Sequence, residues 1–270
     1  MSKRRMFFWW VVTAIILGFF IFPLLWVYVS GFKNVADLYN PGKILFNPTL
    51  ENFRYIFVAR QTLMELRNSV VISVASTALV MVVSLPAAYS FARFNTGSGH
   101  LLFVTISTRM FPAVVAALPF FFLFKGAGLL DTHFGLIIMY VYINMSFATF
   151  LLFGFFREIP EELEQAAMVD GYGRFEILRK ITFPLIMPGA AITAVFCLVW
   201  SWNEFLFANL FTRMTARTVA VGLSRYSAFQ TPLWGPMAAA MAIAILPTLI
   251  VAWFMQRYII RGLTFGAVKG

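Results

Sequence analysis

Six stretches of this chain, near residues 7–29, 68–92, 101–124, 133–156, 189–211 and 237–258, are apolar on every side and long enough to cross a bilayer. A hydrocarbon core of about 30 Å takes roughly 20 helical residues at about 1.5 Å each. Strands of a membrane barrel would alternate apolar and polar residues, and these stretches do not, so the pattern predicts helices. With 61% hydrophobic and 12% charged residues over 270 positions, the chain holds more apolar surface than one soluble core can hide. The expected fold class is therefore an all-α integral membrane protein with six transmembrane helices. Lys3, Arg4 and Arg5 precede the first stretch as in a secretory signal. That stretch is too long for a signal and lacks a small-residue cleavage site, so it reads as a retained helix.

Several function classes fall away on composition. The net charge of +10 is explained by anionic lipid headgroups and topology control, and no basic-aromatic patch points to nucleic acid. Cys197 is the single cysteine, so no disulfide forms within the chain, and His100 and His133 are too isolated for a metal site. No Ser-His-carboxylate constellation and no GxxxxGK[ST] phosphate loop is present, so any ATP used must be bound by another chain. The Lys and Arg distribution favours, by a small margin, cytoplasmic N- and C-termini. Pro86, Pro112, Pro119 and Pro247 fall within predicted spans and should kink or break them. Turns at Pro41-Gly42, Asn47-Pro48 and Thr231-Pro232 mark two outer segments that would face an external partner. The stretch from Arg257 to Gly270 reads as a flexible tail.

One polar island, EELEQAAMVDGYGRFEILRKITFPLIMP over residues 161–188, interrupts this apolar chain. Pro160 suits a helix first turn, and Glu161, Glu162 and Glu164 complement the helix dipole there. That helix should end at Gly171 in a left-handed C-cap, with a second short helix over about 174–182 that Pro184 and Pro188 stop. Ala167 and Gly171, four apart, predict a side-chain-poor stripe where another backbone approaches closely. The alternative is a solvated hairpin whose charges keep the loop in water.

Gln165, Ala166, Ala167, Asp170 and Gly171, followed by Ile181, Pro184, Leu185 and Pro188, resemble the EAA loop of type I ABC importer permeases. Gln165 stands where that family usually has Glu, and Glu164 lies one residue, about 100° of helix, away. NPTLENFRYIF, STRMFPAVV, WNEFLFA and the ending RYIIRGLTFGAVKG resemble the carbohydrate-uptake branch, of the maltose-permease G-subunit type. The resemblance implies a division into an N-terminal helix and extracytoplasmic segment (1–66), a permease core (67–262) with a cytoplasmic coupling loop at 157–188, and a cytoplasmic tail (263–270). It implies a second homologous permease subunit as heterodimer partner, two ATP-binding cassette subunits that hold ATP and Mg, an extracytoplasmic sugar-binding protein and a carbohydrate substrate. No cofactor is expected on this chain itself. The expected location is a bacterial or archaeal plasma membrane, the inner membrane in a Gram-negative cell. Glu164, Gln165, Ala166, Ala167, Asp170, Gly171 and Pro184 form the expected ATPase-coupling set.

Polar groups deep in spans are expensive unless they face a cavity or partner. Tyr140 and Asn144 in the fourth span, with Trp202, Asn203 and Glu204 in the fifth, are thus the candidate substrate path, an aromatic and hydrogen-bonding set suited to a pyranose. The alternative for Asn203 and Glu204 is hydrogen bonding between helices. Arg109 in the third span could pair with Glu204, cap a carbonyl or face a partner chain. Two other classes compete: an ion-gradient-driven secondary transporter, which should carry acidic residues at the midplane, where Glu204 qualifies, and a membrane enzyme, which the scarcity of His, Cys and Asp in the spans opposes.

Overall fold

The computed structural model describes residues 3–40, 42–58, 61–227 and 233–265, with Ser98 and residues 257–265 described by backbone alone. Pro41, the Thr231-Pro232 turn and residues 266–270 lie outside the described residues. The described residues are helical throughout their ordered elements: α1 (Lys3–Gly31), α2 (Val35–Leu38), α3 (Glu51–Val58), α4 (Thr62–Phe94), α5 (His100–Ser107), α6 (Ala113–Gly126), α7 (His133–Glu158), α8 (Glu161–Val169), α9 (Arg174–Ile177), α10 (Phe183–Asn203), α11 (Leu206–Phe211), α12 (Val219–Ser224) and α13 (Trp234–Phe265). Among them, five helical runs are long and apolar enough to cross a membrane: Lys3–Gly31, Thr62–Phe94, His133–Glu158, Arg174–Asn203 and Trp234–Gln256.

The structure corrects four sequence expectations. The third predicted span is not one helix: α5 ends at Ser107, Thr108–Phe111 turns out of helical geometry, and Pro112 in extended conformation caps the start of α6. A ring without an N–H suits such a restart and not a helix interior. The fifth is likewise divided, because α10 ends at Asn203 and α11 restarts at Leu206. Conversely, Pro184 and Pro188 do not stop the helix that begins at Arg174. A π-turn over Leu178–Thr182 leads into α10, where Pro184 falls in the first turn, a position that tolerates a ring without an N–H, and the run continues past Pro188 to Asn203. At the far end, α13 keeps helical backbone to Phe265, past Arg257 where a flexible tail is expected. No proline follows Pro247 to end it.

The chain divides into two compact units. The first comprises Met1–Leu66 and Val221–Pro247, the second Arg67–Ala220 and Thr248–Gly270. In the first, Ile56, Tyr226, Ala239 and Ala240 form the core. Asn52 ties α3 to the end of α1 by donating to the carbonyls of Gly31 (2.9 Å) and Lys33 (2.8 Å). Small residues allow this closeness: a Cβ on Gly31 would lie 3.2 Å from the backbone of Ala239. Within its most apolar window, α1 buries none of its residues. Apolar faces of that extent belong against lipid or another subunit.

The second unit holds the site. His133 at the start of α7 hydrogen bonds Asn68 near the start of α4 (2.8 Å), and Arg93 at the end of α4 donates to the carbonyl of Ile159 just past α7 (2.9 Å). Hence α4 and α7 run in the same direction. Helix α10 runs opposite to them: Thr182 at its entry meets Glu164, while Ser201 near its exit meets Ser76 of α4 and Asn144 of α7. Two apolar clusters hold the three together, one of Ala88, Tyr89, Leu152, Phe156, Ile186 and Ala190, the other of Val80, Ala148 and Cys197.

Candidate coupling and translocation site

The polar island folds as a helical hairpin at the shared end of α4 and α7. Helix α8 begins after Pro160 with Glu161, Glu162 and Glu164 in its first turn, and closes with Asp170 as C-cap and Gly171 at φ +87°. The amide of Tyr172 donates to Ala167 O and that of Gly171 to Met168 O, which satisfies carbonyls left open by the helix end. Helix α9 follows Gly173, with Glu176 accepting from the Gly173 amide and pairing with Lys180 at 2.9 Å.

The hairpin has an inner and an outer face. On the inner face, Glu164 is 4% exposed and accepts from Arg93 Nε (2.7 Å), Tyr89 Oη (2.9 Å) and Thr182 Oγ1 (3.2 Å). Tyr89 itself is packed edge-on against Phe156 and Phe94. Ala167, one turn on, is also buried. Gln165, Ala166, Met168, Val169, Asp170 and Gly171 are exposed. The expected coupling set thus separates into two groups, with Glu164 and Ala167 turned into the unit, and Gln165, Ala166, Asp170 and Gly171 turned outward. The Ala167-Gly171 stripe is therefore not a free docking face, because Ala167 packs against its own chain. Pro184 lies at the start of α10, behind the π-turn. Sequence reasoning missed Tyr89, Arg93 and Thr182. Arg93 as the last-turn cation of α4 was the available signal.

The candidate substrate-path residues do not converge on one opening. Tyr140 and Asn144 are 1% and 2% exposed inside the α7-α10 contact. Asn144 Nδ2 donates to Tyr140 O and Ser201 Oγ, both at 3.0 Å, while its Oδ1 has no partner among the described residues. Trp202 is buried, and Asn203 is exposed and donates to Val199 O (2.8 Å). Glu204 is the hinge of the α10-α11 break: its carboxylate accepts from the amides of Phe207 (2.9 Å) and Ala208 (3.0 Å), capping α11, and Tyr140 Oη donates to its carbonyl (3.4 Å). The side-chain bonds of Asn203 and Glu204 are therefore local, within α10 and at the start of α11, and the bond that crosses between helices is the one from Tyr140 Oη to the Glu204 carbonyl.

Arg109 does not meet Glu204. Its guanidinium lies over the Trp200 ring, Cζ 3.9 Å from the centroid, and 5.2 Å from Phe147, and donates to the carbonyl of Ile143 (3.4 Å). Beside it, the α5-α6 break opens a cavity of about 370 Å³. At the opposite end of α7, Asp131 in left-handed conformation (φ +56°) holds the loop after α11. Its carboxylate accepts from the amides of Arg213, Met214, Thr215 and Ala216 at 2.9 to 3.2 Å. Burial raises its pKa, but these four amides outweigh that and bring it down to about 2.

Comparison with known proteins gives a consistent set. The family described as binding-protein-dependent transport system inner membrane component matches residues 80–265. The trehalose transport system permease protein of Mycobacterium tuberculosis is 32% identical over the whole of both chains. The trehalose/maltose transport system permease protein of Thermococcus litoralis is 31% identical over 96% of each. The sulfoquinovosyl glycerol transport system permease protein of Agrobacterium fabrum is 33% identical over 96% of this chain and 93% of its own. Among solved structures, a bacterial ABC transporter involved in import of the acidic polysaccharide alginate superposes with a TM-score of 0.78 at 21% identity, over 96% of this chain and 99% of the other. At that identity the likeness speaks for the fold.

Proposed function

Because the chain belongs to the family of inner membrane components of binding-protein-dependent transport systems, we propose that it forms half of the translocation pathway of an ATP-driven carbohydrate importer. The observation that supports this most is the two-faced hairpin, anchored inward through Glu164 and open outward through Gln165, Ala166 and Met168. A helix built so moves as a body with α4. In this reading the outer face seats on one of two ATP-binding cassette subunits, which bind ATP and Mg, and the hairpin lies in the cytoplasm. A second, homologous permease subunit completes the pathway, and an extracytoplasmic binding protein delivers the saccharide. Coupling then requires that the docked hairpin prefer one ATPase state over the other.

The six-span reading and the cytoplasmic termini belong to the same proposal. With α4 and α7 parallel, the chain returns between them through α5 and α6, from His100 to Gly126. Broken by Thr108–Pro112, that stretch is the sixth crossing. In the ion-gradient alternative Glu204 would be a free midplane carboxylate, whereas here it caps a helix. The test is reconstitution in vesicles: this chain with a second permease, the ATPase and the binding protein should take up saccharide on ATP addition. Gradient-driven uptake by this chain alone would overturn the reading.

A further inference from the structure

The carbonyl that Arg109 caps, Ile143, is the eleventh of the 26 residues of α7, which places this guanidinium near mid-depth of the bilayer. An ionised side chain there is costly unless it serves a partner or a water-filled path. Its five N–H donors find one hydrogen-bond acceptor among the described residues, Ile143 O, and the Trp200 and Phe147 rings lie against it. The group is thus fixed in place with donors to spare.

The adjoining backbone points the same way. Residues 109–112 lie between the two helices and residues 108–115 are exposed in this chain. Non-helical backbone at membrane depth is tolerated only where protein buries it or where it lines an aqueous cavity. The cavity there, about 370 Å³, is walled by Arg109, Ala113, Ala116, Tyr142 and Ser146. That volume lies within the range of about 300–1,000 Å³ typical of small-molecule sites. Two small alanines give room, one ring offers a stacking face, and a guanidinium offers donors.

We infer that the cavity at the α5-α6 break is a contact site for the solute in transit, and that Arg109 is its donor group. The solute class is a saccharide that presents acceptor oxygens to a planar donor fork, with a carboxylate-bearing sugar held most strongly. The inference rests on the carbohydrate-importer reading and relocates the solute contact from Tyr140 and Asn144 to the broken span.

The test uses the complete importer in lipid vesicles, in a Cys197→Ala background, with Ala113→Cys or Ala116→Cys, which leave Arg109 in place. The probes are two water-soluble methanethiosulfonates, one anionic and one cationic, and trehalose, maltose or an alginate oligosaccharide, whichever the wild-type vesicles import. Both cysteines should react, with the anionic reagent faster by about tenfold. Arg109→Gln should abolish that preference, Arg109→Lys should retain it, and the imported saccharide should slow labelling. No reaction at either cysteine in vesicles that still import sugar would overturn the site and leave the importer reading standing. Reaction without charge preference, or without slowing by sugar, would overturn the role of Arg109 or of the solute respectively. Saccharide uptake that is driven by an ion gradient and needs no ATP would overturn the importer reading itself, and this inference with it.

Discussion

Oε1 of Glu164 lies 2.7 Å from Nε of Arg93, with each side chain 6% exposed, so helix α8 is fastened to the last turn of α4 by a buried ion pair. Tyr89 and Thr182 also donate to the carboxylate, and the Arg93 fork reaches Ile159 O. A buried pair supported in this way adds little net stability, because desolvation offsets most of the Coulomb attraction. Removing one member is different, since the other is then buried and unpaired. Glu164→Gln or Arg93→Gln should each destabilise by about 3–5 kcal/mol. Thermal unfolding of the purified complex should show that loss, and saccharide-stimulated ATP hydrolysis should fall while ATPase subunits remain bound. The double variant should lose less than the sum of the two, which a double-mutant cycle measures.

Much of this hairpin was legible in the sequence because its signals are local. Pro160, the acidic first turn and Gly171 determine where α8 starts and stops, and the helix spans Glu161–Val169 between them. Which face turns inward was not legible, because that depends on Tyr89 and Arg93, more than seventy residues earlier in the chain. The same limit hid the four-amide grip on Asp131, whose donors lie 82 to 85 residues downstream. The broken third span had a local signal that hydropathy masks: STRMFP places a charge and a proline inside an apolar run. Proline position alone does not decide the outcome, since Pro112 starts a helix whereas Pro86, Pro119, Pro188 and Pro247 lie within theirs.

Gly171 has φ +87°, and a Cβ there would meet nothing within 4 Å. Any defect from substitution therefore comes from backbone strain at the turn, not from a clash. Gly171→Ala should cost about 1 kcal/mol, and Gly171→Asn, which tolerates the left-handed region better, should cost less. Proteolytic susceptibility of the hairpin reports this order. A bulky residue such as Gly171→Trp should additionally prevent ATPase attachment, because this glycine lies on the outer face, while the spans still insert.

Asp131 has a folded pKa of about 2, below its ordinary 3.8. A carboxyl depressed by folding contributes stability that is complete above the ordinary value and is lost as pH falls through the folded one. Between pH 5 and pH 8 this clamp should therefore impose no pH dependence on the loop that follows α11. Below about 3.8 the loop should begin to loosen, with the change complete only below the folded value of about 2. Hydrogen exchange of the amides of Arg213 to Ala216 is the measurement. Asp131→Asn should show the loosened exchange at every pH in that range.

Gln165 is exposed on the outer face, one helix step from the buried Glu164. Because a step turns about 100°, Glu164 cannot substitute for a carboxylate at 165, and it is already engaged with Arg93. Gln165→Glu places a charge on the surface, where changes without buried partners lie within about 0.5 kcal/mol, so unfolding should be unaffected. If the outer face seats on an ATPase subunit that offers a cation there, the substitution should tighten assembly, with a gain that shrinks as salt rises. Titrating the ATPase against vesicles at low and high ionic strength distinguishes the cases. Equal affinities for Gln165 and Gln165→Glu at low salt would place residue 165 away from any cationic contact, and the attachment would then rest on the apolar residues Met168 and Val169 beside it.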